Sequence, residues 1–256
     1  IDQVSQAGDV VQVTVGDCIG VHTHNGYSQT VHIPHRLTLE GGYSRDFKTS
    51  FANTTYPNLE EATAFDAKGR GRALWVAAEA VTVSQISLVG GDALEQGGEG
   101  GGLAFDGAPT DVLLFQTDFY SNTATSGGAL YLPGGGLVLE KSQLVYNTAT
   151  DGGALYQAGG TLTVTAQSEL RNNNAGDDGG ALYVDGGNAL LLGAEDQLQL
   201  WALNEADRGG AVYNRSGNVT VFYSEFASNR ASGGNGGAIY NRATMSLTHT
   251  TLRENE

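Results

Sequence analysis

The chain has 256 residues with 28 acidic against 13 basic side chains, a formal net charge of −15 at pH 7. That balance repels phosphate backbones and anionic membrane surfaces, which disfavours nucleic-acid binding, and no apolar run reaches the roughly 18 residues that a membrane-spanning helix needs. The single Cys18 excludes an internal disulfide framework, while 38 glycines ask for a fold with many tight corners.

The first hundred residues read as loosely written strands. "AGDVVQVTVGDC" (7–18) and "TVHIPHRLTLEGGYS" (30–44) are β-branched runs bounded by glycine, with Ile33, Leu37 and Leu39 as core candidates. Cys18, followed by "IGV", reads as a buried strand thiol. The polar stretch near 44–70, with Pro57, reads as a long loop, and "RALWVAAEAVTVSQISLVGG" (72–91) supplies two more strands. His22 and His24 lie on one strand face with His32 and His35 in what reads as the next coil. That spacing is compatible with zinc or copper but is read first as surface histidines. The glycine run 90–102 lacks the Lys-Ser/Thr of a phosphate loop and reads as a corner.

From residue 101 the chain repeats itself. Asparagines recur at Asn122, Asn147, Asn173, Asn204, Asn229 and Asn255, in steps of 25, 26, 31, 25 and 26. Double glycines followed by Ala, an aliphatic residue and Tyr recur at Gly127, Gly152, Gly179, Gly209 and Gly236, and "GGLAF" (101–105) is a blurred earlier copy. Self-similarity at this period marks a solenoid. Each unit holds short strands such as "LVLE", "TLTVT" and "VTVFY" and no apolar stripe of helical period, so it reads as one coil of a parallel β-helix with three short strands. The chain is therefore expected to be all-β, one domain spanning 1–256, with about nine or ten coils. The single long step, 31, predicts a bulge within "DGGNALLLGAEDQLQLWALNEA".

Stacking places each residue about 4.8 Å above its counterpart. The six asparagines then form a turn-fixing ladder, each amide donating to one neighbour and accepting from the other. Leu130, Leu155, Leu182, Val212 and Ile239 form an inward aliphatic row. Alternation points Tyr131, Tyr156, Tyr183, Tyr213 and Tyr240 outward, with Phe105 at the head of the row; the opposite assignment would crowd six rings into a narrow interior.

The paired "GGA[ILV]" motifs, together with "FYSN" (119–122) and "FASN" (226–229), resemble the repeats of chlamydial polymorphic outer-membrane proteins. Leu144, Leu170, Trp201 and Leu252 depart from that pattern by replacing the Phe. The resemblance covers about 100–256 and implies a right-handed β-helix of the pectate-lyase-like class, exposed at the cell surface and often adhesive. It implies no particular ligand. The opening run 7–18 also resembles the first coil of such β-helices.

That fold also houses polysaccharide lyases, which need clustered carboxylates on one exposed strand face, often with calcium. The corner before the double glycines is occupied in turn by Ser126, Asp151, Asp178, Arg208 and Asn235. Asp151 and Asp178 read first as turn-capping residues with Arg208 as partner, and calcium between them is the one cofactor left open. No catalytic residue stands out. Triplets at Asn53, Asn214 and Asn218 are glycosylation acceptors only in a source that uses them. The expected function is a non-enzymatic, extracellular structural or adhesive element, with a carbohydrate-active enzyme and a filament subunit as alternatives. Expected partners are a surface glycan or protein and, because the sequence stops within a repeat, either further chain beyond Glu256 or another copy stacking head to tail. Neither nucleic-acid binding nor membrane insertion is expected.

Overall fold

The computed structural model describes residues 7–24, 26–43, 62–165 and 167–256, and their regular structure is all β. One period is one coil. In the coil that starts at Leu130, Leu130–Leu132 belongs to a nine-stranded sheet, Gly136–Glu140 and Gln143–Val145 to a sixteen-stranded sheet, and Thr148–Asp151 to a four-stranded sheet. The strict coil thus has four strands rather than three. Gly136–Glu140 and Gln143–Val145 share one bent sheet, and the bend is made by Lys141, a non-glycine residue at φ +51°. In the preceding coil the same two legs are one strand, Asp111–Tyr120, bent at Gln116 (φ +48°) and paired with both.

Successive coils pair in parallel and in register. Leu130 lies beside Leu155, Leu155 beside Leu182, Leu182 beside Val212 and Val212 beside Ile239. Of the nine strands in that sheet, His22–His24 pairs antiparallel with Tyr27–Ile33, which leaves eight parallel rungs. The solenoid therefore has about eight turns, slightly fewer than the nine or ten expected. The four histidines do not occupy two successive coils as read from sequence. His22–His24 and Tyr27–Ile33 form a hairpin, which brings the rings of His24 and His32 to 4.4 Å.

The interior is a continuous aliphatic column. Leu130, Leu155, Leu182 and Val212 are fully buried in one cluster with Leu139, Val164, Leu191 and Val221 from the wide sheet, and Ile239 packs against it. The residue three before each of the first five asparagines, namely Phe119, Leu144, Leu170, Trp201 and Phe226, closes the third side, while Leu252 before Asn255 is exposed. Gly127 shows why the double glycine recurs. Its φ is +65°, and a Cβ there would stand 2.1 Å from the carbonyl oxygen of Leu130, so no L side chain fits.

Several expectations are corrected. The loop near 44–70 ends earlier than read: Thr63–Asp66 is a strand buried on all four residues, pairing with Gly16–Ile19 on one side and Ala80–Val89 on the other; residues 44–61 lie outside the described residues. Alternation within "TAFD" is hidden because both of its faces are covered. Cys18 is exposed rather than buried, since among the described residues its strand is a first rung, paired only with Thr63–Asp66. The extra residues of the long period emerge at Gly193–Leu198, between the two legs of the wide sheet, with Glu195 to Leu198 exposed.

Candidate functional site: the tyrosine face and its ladders

The asparagines sit just after a second bend, where residue i−1 adopts positive φ without being glycine: Ser121, Tyr146, Asn172, Leu203, Ser228 and Glu254 lie between +53° and +58°. That conformation costs an L residue about 1 kcal/mol, and the ladder offsets it. Asn147 Nδ2 donates to Asn173 Oδ1 (3.0 Å) and to the Phe119 carbonyl (3.2 Å), while its backbone N–H also donates to Asn173 Oδ1 (3.0 Å). The pattern runs from Asn122 to Asn255, with each shared side-chain contact at 3.0 Å. Asn122 through Asn229 each donate twice from the side-chain amide and are buried, whereas Asn255 donates once, to the Phe226 carbonyl.

A second polar column escaped the sequence reading. Thr117, Ser142, Ser168, Gln199, Ser224 and Thr250 each stand five residues before a ladder asparagine. Ser142 Oγ accepts the Thr117 N–H (3.0 Å) and donates to the Glu140 carbonyl (2.9 Å), and Ser168 Oγ accepts the Ser142 N–H (3.3 Å). These hydroxyls saturate the first bend as the asparagines saturate the second. The fixed offset of five was the available signal, masked because three residue types share the role.

The tyrosines are outside the aliphatic cluster and stack along the axis. Ring centroids are 5.5 Å apart for Tyr131 and Tyr156, 4.8 Å for Tyr156 and Tyr183, 5.0 Å for Tyr183 and Tyr213, and 5.3 Å for Tyr213 and Tyr240. Because neighbouring rings cover each other's faces, Tyr183 and Tyr213 are only 6% and 1% exposed, and the row offers edges and hydroxyls to solvent rather than ring faces. Phe105 does not head it. The register pairs Leu103 with Leu130, so Ala104 occupies the tyrosine position and Phe105 points into the core beside Val76. The third glycine of Gly100–Gly102 shifted the frame by one. Beyond Ala104 the column continues with Trp75 and His32.

Charged columns flank the row on both sides. On one side Ser126, Asp151, Asp178, Arg208 and Asn235 are successive register partners. Arg208 grips Asp178 as a fork, Nε to Oδ1 at 2.7 Å and Nη2 to Oδ2 at 2.6 Å, and its guanidinium lies over the Tyr213 ring at 5.2 Å. On the other side Arg215 binds Asp185 (2.9 Å), whose second oxygen accepts the Tyr156 hydroxyl (3.1 Å), and Arg242 donates to the Tyr213 hydroxyl (3.3 Å). Two ion pairs therefore clamp the Tyr183–Tyr213 step, one from each side.

These surroundings shift titrations. Burial, with Asp178 and Asp177 nearby, pushes Asp151 up to about 6. Burial and then Asp151 and Asp185 push Tyr183 up to about 12, and burial with Asp185 raises Tyr156. Of the two calcium candidates, Asp178 has both oxygens on Arg208, and Asp151 forms no salt bridge among the described residues. Asn214 is buried, its Nδ2 donating to Gly217, Asn241 and Thr244, so of the described glycosylation triplets Asn218 is the exposed one.

Residues 223–242 match the model of the Chlamydia polymorphic membrane protein repeat. The repeats resemble those of that family. The matched segment holds Phe226, Asn229 and "GGAIY" (236–240), the residues that here form the core wall, the ladder and the tyrosine row. No curated protein and no solved structure matches the chain.

Proposed function

We propose that the chain is a non-enzymatic β-helix exposed at a cell surface, where it acts as a structural or adhesive element whose binding face is the tyrosine row with its charged flanks. The observation that carries this reading is the repeat match at 223–242, set beside a face whose charged groups are largely spent on one another. Asp178 is consumed by Arg208 and Asp185 by Arg215 and Tyr156, an arrangement that fixes the shape of the face. Surface location follows from the resemblance and agrees with the net charge of −15.

The test is a binding panel of immobilised glycans and extracellular proteins, run beside a lyase assay that follows the ultraviolet absorbance of unsaturated uronate products. The reading expects saturable binding to at least one surface and no absorbance growth on polyuronates. Turnover of a polysaccharide, with no binding beyond that substrate, would replace it by the enzyme reading.

A further inference from the structure

The glycine-rich corner within 90–102 breaks the repeat. Asp92 is the register partner of Thr123 and Glu99 that of Ser126, so seven residue steps in this coil stand against three in the next, and four residues are inserted. The insertion forms a wall held from behind. Arg72, which is buried, donates from Nε to the Glu99 carbonyl (2.9 Å) and from Nη2 to the Gln96 carbonyl (2.5 Å), and Gln96 Oε1 accepts the Ser28 N–H (2.9 Å). Ala93 is buried too, whereas Leu94 and Glu95 are exposed. The facing wall is the turn 67–71, in which the Gly69 N–H donates to the Gly90 carbonyl (2.7 Å); the Asp92 N–H donates to the Gly71 carbonyl (2.7 Å) and ties the two walls together. Between them lies a cavity of about 470 Å³ lined by Gly69, Arg70, Asp92, Leu94, Glu95 and Gln96. It is not an end of the stack, because Thr63–Asp66 and Ala80–Val89, the strands that lead into its walls, are each paired on both sides.

The cavity opposes charges that do not meet. Arg70 is exposed and forms no ion pair among the described residues, and neither Asp92 nor Glu95 forms a salt bridge there; Asp92 Oδ1 accepts the Leu94 N–H (3.0 Å). A guanidinium on one wall suits a planar carboxylate, which it binds through two parallel hydrogen bonds, and the carboxylates of the other wall suit an ammonium. A polyanion would gain the guanidinium and meet two like charges, while a simple cation would gain the carboxylates and meet Arg70. A molecule that carries one charge of each sign satisfies both walls, and Leu94 offers apolar surface to its side chain. We infer that this cavity, independent of the tyrosine face, binds a zwitterion with one carboxylate and one primary ammonium, an α-amino acid or a short peptide, with Arg70 on the carboxylate and Asp92 and Glu95 on the ammonium.

Titration calorimetry on the full chain tests this with L-leucine, leucyl-leucine, N-acetyl-leucine, which lacks the ammonium, and leucinamide, which lacks the carboxylate. The variants are Arg70→Ala, the double variant Asp92→Asn with Glu95→Gln, which keeps an acceptor for the Leu94 N–H, and, as control, Arg171→Ala, which removes an arginine paired with Glu169. Saturable wild-type binding of leucine or leucyl-leucine supports the site if it weakens about ten-fold or more with either blocked ligand and with either cavity variant, and is unchanged in Arg171→Ala. Tighter binding of leucine assigns the free amino acid, and tighter binding of leucyl-leucine assigns the peptide. No binding of either zwitterion, a blocked ligand that binds as tightly as leucine, or binding that survives the double variant overturns the site. Each variant's thermal melt is compared with wild type, and should Arg70→Ala unfold, the double variant and the blocked ligands decide alone.

Discussion

Asp178 and Arg208 occupy the same position in consecutive coils and meet fork to fork, with Nε–Oδ1 at 2.7 Å and Nη2–Oδ2 at 2.6 Å. One coil earlier the same position is Asp151, which forms no salt bridge among the described residues. The column therefore contains one ion-paired carboxylate and one without a salt bridge, and the difference is measurable.

Replacing Arg208 with Met keeps the stem over Tyr213 but strands the buried Asp178 carboxylate. The expected loss is about 1–2 kcal/mol, at the low end for a broken buried pair because Arg208 is partly exposed. The double variant Asp178→Asn with Arg208→Met should regain part of it in urea melts.

Asp151→Asn should act in the opposite direction. The folded-state pKa, pushed up to about 6, exceeds the unfolded carboxylate value, so the folded chain binds the extra proton and ionisation at neutral pH disfavours folding. The penalty is absent below about pH 4, grows as pH rises through about 6 and is complete above it. The variant is thus expected to stabilise by about 1 kcal/mol at pH 7.5, after discounting for solvent screening, and to change little at pH 4. Equal effects at both pH values would deny that burial and the neighbouring carboxylates penalise the Asp151 charge.

Leu203 is 55% exposed at φ +57°. Leu203→Gly removes the backbone strain while loosening the unfolded chain, for a net gain of up to about 1 kcal/mol. Gly127→Ala, at φ +65° with a Cβ forced against the Leu130 carbonyl, should prevent stable folding of the adjoining coils. Thermal melts of the two variants should move in opposite directions.

The parts of this fold that were legible in the sequence are those that repeat the same residue at the same offset. The asparagine step located the second bend, and the Leu130–Tyr131 alternation assigned inside and outside. The bend at Lys141 was not legible, because its positive φ is held by Ser142 and Ser168 behind it rather than by a glycine or proline that would mark a turn. The head of the tyrosine row was misread at Phe105 because three consecutive glycines allow two frames, and only strand pairing chooses Gly100–Gly101 over Gly101–Gly102. The charged clamps needed two columns on opposite sides of one strand, Asp178–Arg208 and Asp185–Arg215, to be seen together. Only the first was visible as a periodic position.

Asn173→Leu should destabilise by roughly 2–4 kcal/mol, since it removes the acceptor of two Asn147 donors and the donor to the Leu144 carbonyl. Asn218→Leu, at an exposed position, should stay within about 0.5 kcal/mol.

Each period is one coil locked to the next through its asparagine, which makes the tyrosine face a rigid surface. Amide hydrogen exchange tests this, because the backbone N–H groups of Asn122, Asn147, Asn173 and Asn204 each donate to a buried side-chain oxygen one coil away, and that of Asn229 donates to the half-buried Asn255. The inner three, Asn147, Asn173 and Asn204, are expected to exchange only through global unfolding and as slowly as the core amides of Leu155 and Leu182. Exchange of those three at the rate of exposed corner amides such as Glu195 and Asp196 would contradict it.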